Sequence, residues 1–203
     1  MNVFILGATG GIGSALVEQA LEHGHTVTAF VRSPEKITQS QPNLRIQQGD
    51  PRQTDPLAAS MAGHDAVLSA LGVRSLGKRT LLEDCARSTV EAMRRSGVRR
   101  LLIVSAALLF PDAGPLAPPL RFILHYNIVD SKAMEQVVAA SDLDWTIARP
   151  PRLTDGKHTG RFRVEVGRLP KNGFSISRAD VAHFLLRAAE ERIYVRAIAG
   201  VCY

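Results

Sequence analysis

Cysteine is scarce. Cys85 and Cys202 stand far apart and outside any C-x-x-C spacing, so neither a disulfide framework nor a zinc site is indicated. The six histidines form no H-x-x-x-H helical pair and read as surface or packing residues, so no metal is expected. Aromatic residues make up only 5% of the chain. Its three tyrosines are not interleaved with the basic residues, which removes the stacking platforms that nucleic-acid binding uses. The net charge of +6 is scattered and reads as a solvated surface with a few anion contacts. No apolar run approaches the roughly 18 residues of a membrane span, and the start lacks the pattern of a secretory signal. A cytoplasmic protein with neither nucleic acid nor membrane as partner is expected. Repeats and linkers are also lacking, so the 203 residues read as one domain, a monomer by expectation.

What the chain does have is an alternation of strand and helix signals, the pattern of parallel βαβ units. It opens on Val3-Phe-Ile-Leu, then Gly7-Ala-Thr-Gly10-Gly11-Ile-Gly13, then an amphipathic pattern through Ala15, Leu16, Gln19 and Ala20. That is a buried strand, a tight turn and a helix start. Glycine suits such a turn because phosphate must approach bare backbone and because the helix must pack closely on the strand. The free N–H groups of the helix start then offer an anion site. The spacing is G-x-x-G-x-x-G rather than the commoner G-x-G-x-x-G, and glycine-rich turns also serve as plain connections.

Thr26–Val31 reads as the second strand, and the residues just past it face the adenosine ribose in a doubly wound fold. Arg32 stands where an acid would select NAD; with Ser33 and Lys36 it favours a 2′-phosphate, hence NADP. Ordinary surface charge is the alternative. A third strand, 44–48, ends in Gly49-Asp50-Pro51, where Asp50 either accepts from the adenine amino group or only shapes the turn. The fourth strand, 65–72, ends at Gly72, followed by the basic residues Arg74, Lys78 and Arg79. A helix spans about 80–96. The continuous apolar strand 100–105 follows it and ends in Ser105, which either satisfies backbone groups or meets the nicotinamide. Four prolines and a glycine make 110–119 an irregular loop able to cover a flat ligand. A helix resumes over 127–140, with Lys132 and Glu135 spaced for a surface ion pair. The strand 144–149 leads into Pro150-Pro151-Arg152, a short strand spans 161–166, and Ser177 to Asp180 resembles a capping box opening the last helix. The expected architecture is α/β: a single-domain Rossmann fold with a doubly wound, mostly parallel sheet.

These residues together resemble the atypical short-chain dehydrogenases of the NAD(P)H-binding, or NmrA-like, family, and within it the biliverdin-IXβ and NADPH-dependent flavin reductases. The likeness rests on the Gly7–Gly13 turn, Val31-Arg32 with Lys36, Gly49-Asp50, Ala70-Leu71-Gly72 with Arg74, Ser105-Ala-Ala-Leu-Leu, Arg149-Pro-Pro, and 180–187. It implies NADP(H) as cofactor. Gly7, Thr9, Gly10, Gly11, Ile12 and Gly13 would hold the pyrophosphate, Arg32, Ser33 and Lys36 the 2′-phosphate, and Asp50 the adenine. Leu71, Gly72 and Arg74 would line the middle, and Ser105, Pro150 and Pro151 would surround the nicotinamide, with Lys132 also on the cofactor side. Ser105 and Arg152 are the catalytic candidates. The implied activity is hydride transfer to a flat acceptor such as a flavin, a linear tetrapyrrole or a quinone. The alternative is a non-catalytic NADP(H) sensor acting through a protein partner. Arg152 stands where the reductases have histidine, and Ile103 where they have cysteine; both bear on the acceptor. The Tyr-x-x-x-Lys pair of ordinary short-chain dehydrogenases is missing, because Ile128 lies four residues before Lys132.

Overall fold

The structure, a computed structural model, describes residues 1–73, 77–78, 80–114 and 117–203. The first half contains β1 (Asn2–Leu6), α1 (Gly11–Glu22), β2 (Thr26–Val31), β3 (Leu44–Gln48), α2 (Thr54–Met61), β4 (Ala66–Ser69) and α3 (Leu81–Ser96). Then come β5 (Arg100–Val104), α4 (Ala117–Ile123), α5 (His125–Ala139), β6 (Asp144–Arg149), β7 (Arg152–Thr154) and β8 (Arg163–Val166). The chain finishes with β9 (Ser175–Ser177), α6 (Arg178–Glu190) and β10 (Ala197–Cys202). Eight strands form one sheet in the order β3-β2-β1-β4-β5-β6-β10-β8; β7 and β9 pair separately. Every pairing of the large sheet is parallel except the edge pair of β10 with β8. This is the doubly wound Rossmann arrangement, with its switch point between β1 and β4.

Side-chain alternation divides the strands between two cores. Val3, Ile5 and Leu102 face one core with Leu16 and Ala20 of α1 and Val181 and Leu185 of α6. Phe4, Leu6, Leu101 and Ile103 face the other with Leu57 of α2, Met93 of α3 and Met134 of α5. Burial on both faces explains why the central strands are continuous apolar runs. No helix among the described residues is long and apolar enough to cross a membrane.

Several local expectations are corrected. The fourth strand stops at Ser69. The proline-rich stretch is not irregular to its end: α4 begins at Ala117 and takes Pro118 and Pro119 into its first turn. There the missing N–H groups would have had no helical partner in any case. The Lys132–Glu135 pair is absent. Lys132 is exposed, while Glu135 is buried and accepts from Arg149 at 2.9 Å. At the start of α6, Ser177 Oγ accepts the Asp180 N–H at 2.9 Å, but the Ser177 N–H goes to Tyr203 Oη rather than to Asp180. The last strand, β10, carries no clear sequence signal because Gly200 interrupts it. That glycine is required there, since a Cβ would stand 2.2 Å from the Arg168 carbonyl oxygen.

Two buried charged groups tie the sheet to the layers. Arg100 is 2% exposed. It donates to the carbonyls of Asp144, Ala188 and Ile193 and to Thr146 Oγ1, joining β5, β6 and the end of α6. Burial pushes its pKa down to about 10, so it remains charged at neutral pH. Asp180 is fully buried. It accepts from Tyr203 Oη at 2.6 Å, from the N–H groups of Thr159 and Gly160, and from Thr159 Oγ1. Burial raises its pKa, but these hydrogen bonds outweigh burial and hold it at about 2.

A carboxylate with a depressed folded-state pKa stabilises the fold above its unfolded pKa and loses that contribution as pH falls through the folded value. Urea denaturation should therefore show about 2 kcal/mol lost between about pH 4 and pH 2. The Tyr203→Phe variant should show a smaller loss over that interval.

Candidate functional site

The site is built at the carboxyl ends of the central strands, where β1 gives way to α1. Gly7 follows β1 with φ +79°, a left-handed conformation that favours glycine. A Cβ on Gly7 would stand 2.7 Å from the Ala70 carbonyl carbon, and one on Gly13 would stand 2.0 Å from the Gly7 oxygen. The turn is thus pressed against the segment leaving β4 and against its own helix. The Gly10 N–H donates to the Gly7 oxygen at 2.9 Å, and the Ser14 N–H makes the first helical bond to the Gly10 oxygen at 2.7 Å.

Gly10 gives α1 no side-chain cap, and the first turn holds no acidic residue. The N–H groups of Gly11, Ile12 and Gly13 have no partner within the helix, and the helix dipole is positive there. Ile12 contributes only its backbone, because its side chain is in the core. Thr9 is exposed beside the turn. Sequence reasoning missed Arg178, the first residue of α6. Its Cδ lies 2.4 Å from where a Gly11 Cβ would be, and its guanidinium meets Asp155 at 2.5 Å. It crosses the helix start as a cation, yet in the sequence it stands some 170 residues away inside a capping motif.

A cleft of about 90 Å³ adjoins the turn, lined by Thr9, Ser14, Lys36 and Gln39 among others. Gln39 Oε1 is buried without a partner. Arg32 is exposed and makes no ion pair among the described residues, and Ser33 precedes the short 3-10 turn Pro34–Lys36 without capping it. Asp50 is engaged by Arg52, whose backbone N–H donates to Oδ1 at 3.0 Å and whose guanidinium grips both oxygens. The side-chain hydrogen bond from Arg52 holds the Asp50 carboxyl below its usual range. Leu71 packs against the core beneath β4, and Gly72 is exposed, with open space where a Cβ would be. Arg74 and Arg79 lie outside the described residues.

Past β5 and β6 the chain continues in parallel. The Ser105 N–H donates to the Ala148 oxygen at 2.7 Å, and the Ala107 N–H to the Pro150 oxygen at 2.9 Å. Ser105 Oγ is buried and has no hydrogen-bond partner among the described residues, a demand that a bound amide or carbonyl can meet. Asn127 Oδ1, on α5, is a further buried orphan that sequence reasoning missed. Pro150 is buried, Pro151 half-buried and Arg152 exposed. Arg149, paired with Glu135, lies 4.5 Å over the Phe110 ring and so fixes an aromatic wall near the strand ends. The two cysteines are not nucleophiles: burial pushes the Cys85 thiol up to about 12 and raises that of Cys202. The cradle, the cationic rim and the unmet Ser105 hydroxyl suit a dinucleotide laid across the strand ends.

Gly13→Ala should cost about 2–3 kcal/mol, because its Cβ meets rigid backbone. Gly10→Ala, whose nearest contact would be 3.3 Å, should cost under about 1 kcal/mol. Urea midpoints of the two variants test this difference.

A family model described as NAD(P)H-binding matches residues 7–192. An uncharacterised chloroplast protein of Arabidopsis thaliana is 31% identical over 208 residues, covering 92% of this chain and 71% of the relative. A Rossmann-fold NAD(P)-binding protein of Shigella flexneri superposes with a TM-score of 0.77 at 27% identity, covering 98% of this chain and 92% of the other. ChuY, an anaerobilin reductase of Escherichia coli O157:H7, has the same fold with a TM-score of 0.82 at 21% identity, covering 100% and 97%. The chain belongs to the NAD(P)H-binding family of Rossmann-fold proteins, takes NADP(H) as its cofactor, and is oxidoreductase-like.

Proposed function

We propose that the protein is an NADPH-dependent reductase that passes hydride to a flat conjugated acceptor: a flavin, a linear tetrapyrrole or a quinone. The observation that carries this reading is the buried, unpartnered Ser105 hydroxyl at the carboxyl end of β5. In this place it can fix the nicotinamide carboxamide or a carbonyl of the acceptor.

The N–H groups of Gly11, Ile12 and Gly13, with Gly7, Thr9 and Gly10 shaping the turn and Arg178 above it, hold the pyrophosphate. Arg32, Ser33 and Lys36 take the 2′-phosphate. Asp50, gripped by Arg52 through both oxygens, shapes the adenine end of the site, and Leu71, Gly72 and Arg74 line the middle. Pro150 and Pro151 wall the nicotinamide and exclude water, with Lys132 on the α5 side. Bound NADPH supplies the hydride. The protein's own task is orientation, which alone removes a large part of such a barrier. Arg152 stabilises the negative charge that develops on the acceptor. A flavin takes its proton from solvent, so the missing tyrosine is no obstacle. A cytoplasmic setting belongs to the same reading.

One observation favours a second reading, an NADP(H) sensor that contacts a protein. Phe122 of α4 is 85% exposed, and Ile123, Tyr126 and Val129 are exposed beside it.

Purified protein should oxidise NADPH when given flavin, tetrapyrrole or quinone. Arg32→Ala should raise the KM for NADPH about tenfold or more and leave that for NADH nearly unchanged, since charge-assisted hydrogen bonds are each worth about 1.5–3 kcal/mol. Arg152→Ala should lower kcat while leaving NADPH affinity intact. Binding of NADPH without turnover on any acceptor would overturn the reductase in favour of the sensor.

A further inference from the structure

The opposite end of the sheet holds a cluster that the dinucleotide site does not use. His23 caps the carboxyl end of α1, Gly24 turns the chain with φ +76°, and His25 leads into β2. Helix α6 packs alongside α1 and brings its last residue, Glu190, to the same place. His23 Nδ1 is 3.0 Å and His25 Nε2 2.7 Å from the same Glu190 oxygen. The ligand atoms of all three residues lie within 4.8 Å of one another. We propose that His23, His25 and Glu190 form a binding site for a divalent transition metal of the zinc class, remote from the cofactor.

Two imidazoles and a carboxylate are a donor set that zinc accepts, with water in the fourth position. The side chains of His23, His25 and Glu190 are 40%, 12% and 27% exposed, so the cluster is embedded yet open to solvent on one side. Bonds of about 2.0–2.1 Å place tetrahedral ligand atoms about 3.3 Å apart. The two nitrogen–oxygen separations, 3.0 and 2.7 Å, need to widen by about 0.3–0.6 Å. The other ring nitrogen of His25 meets the Met1 amino group at 3.2 Å, which holds the ring with Nε2 toward the carboxylate. Burial raises the Glu190 pKa, but the hydrogen bonds from His23 and His25 outweigh it and keep the carboxylate in its charged form. Two helix carboxyl ends converge here, and both dipoles favour a cation. The twelve residues of α1 separate this cluster from the glycine turn by about 18 Å, so the two sites are independent. A bound metal joins α1, β2 and α6, reinforcing the link that Gln19 Nε2 makes to the Ala179 oxygen at 2.9 Å further along the helix pair.

The test uses the full chain without a histidine tag, stripped by chelator and titrated with Co²⁺, Zn²⁺ or Mg²⁺. One equivalent of Co²⁺ should bind with visible ligand-field absorption, Zn²⁺ should displace it and raise the Tm, and Mg²⁺ should do neither. His23→Ala, at an exposed position that does not endanger folding, and Glu190→Gln, which keeps the side-chain shape, should each weaken Co²⁺ binding at least about tenfold. NADPH binding should be unchanged in both. Absence of stoichiometric Co²⁺ binding, or equal binding in either variant, would overturn the assignment without touching the reductase reading.

Discussion

The constraint on which the rest depends is the contact of three bare backbone segments at the end of β1. Gly13 rests on the Gly7 oxygen so closely that a Cβ would stand 2.0 Å away, and Gly7 rests on Ala70 at the end of β4. Because α1 starts this close to the sheet, its free N–H groups open directly above the gap between β1 and β4. That gap is the switch point where the chain reverses its direction of winding. The open helix start is therefore not an addition to the fold but a consequence of this close packing.

The two ends of the sheet are consequently unlike. At the carboxyl end, donors are left unmatched: the helix start of α1, the Ser105 hydroxyl and the exposed Arg32. At the amino end of β5 the buried Arg100 guanidinium saturates the carbonyls left by β6, α6 and the segment after it. Unmet polar groups are costly inside a protein. The unmet Ser105 hydroxyl and the open helix start mark the carboxyl end as the place for the dinucleotide, while Arg100 serves stability. Asp180 links the two functions, since it anchors residues 159–160 and the start of α6, from which Arg178 reaches over Gly11.

Much of this was legible in the sequence wherever the signal is local. The glycine turn, β1, β2, β3 and the Ser177 cap all read correctly because spacing over a few residues dictates them. Where tertiary contacts decide, sequence was a poor guide. Glu135 at an i+3 spacing from Lys132 suggested a surface pair, yet Arg149 takes it because strand and helix meet there. The prolines at 118 and 119 suggested a loop, although a helix's first turn tolerates them. Arg178 and Asn127 gave no signal, since neither has a partner near it in the chain. The cluster of His23, His25 and Glu190 was equally hidden: H-x-H is a poor metal motif until a glutamate some 165 residues away arrives beside it.

The same division explains why the donor is identified and the acceptor is a proposal. In the proposed arrangement the pyrophosphate meets mostly backbone, whose geometry the glycines and the strand order fix. The acceptor would be held by side chains on the segments that follow β5 and β6: Ser105, Phe110, Arg152 and the exposed ridge of α4. Arg152 and the exposed ridge of α4 lie outside the core and can change at little cost to the fold, whereas Phe110 is 1% exposed and cannot. Arg149, through its ion pair with buried Glu135 and its position over Phe110, likewise connects the acceptor side to the core. Selectivity for the acceptor should therefore reside in Arg152 and the neighbours of Phe110, whereas loss of Arg149 should disturb the whole wall at once.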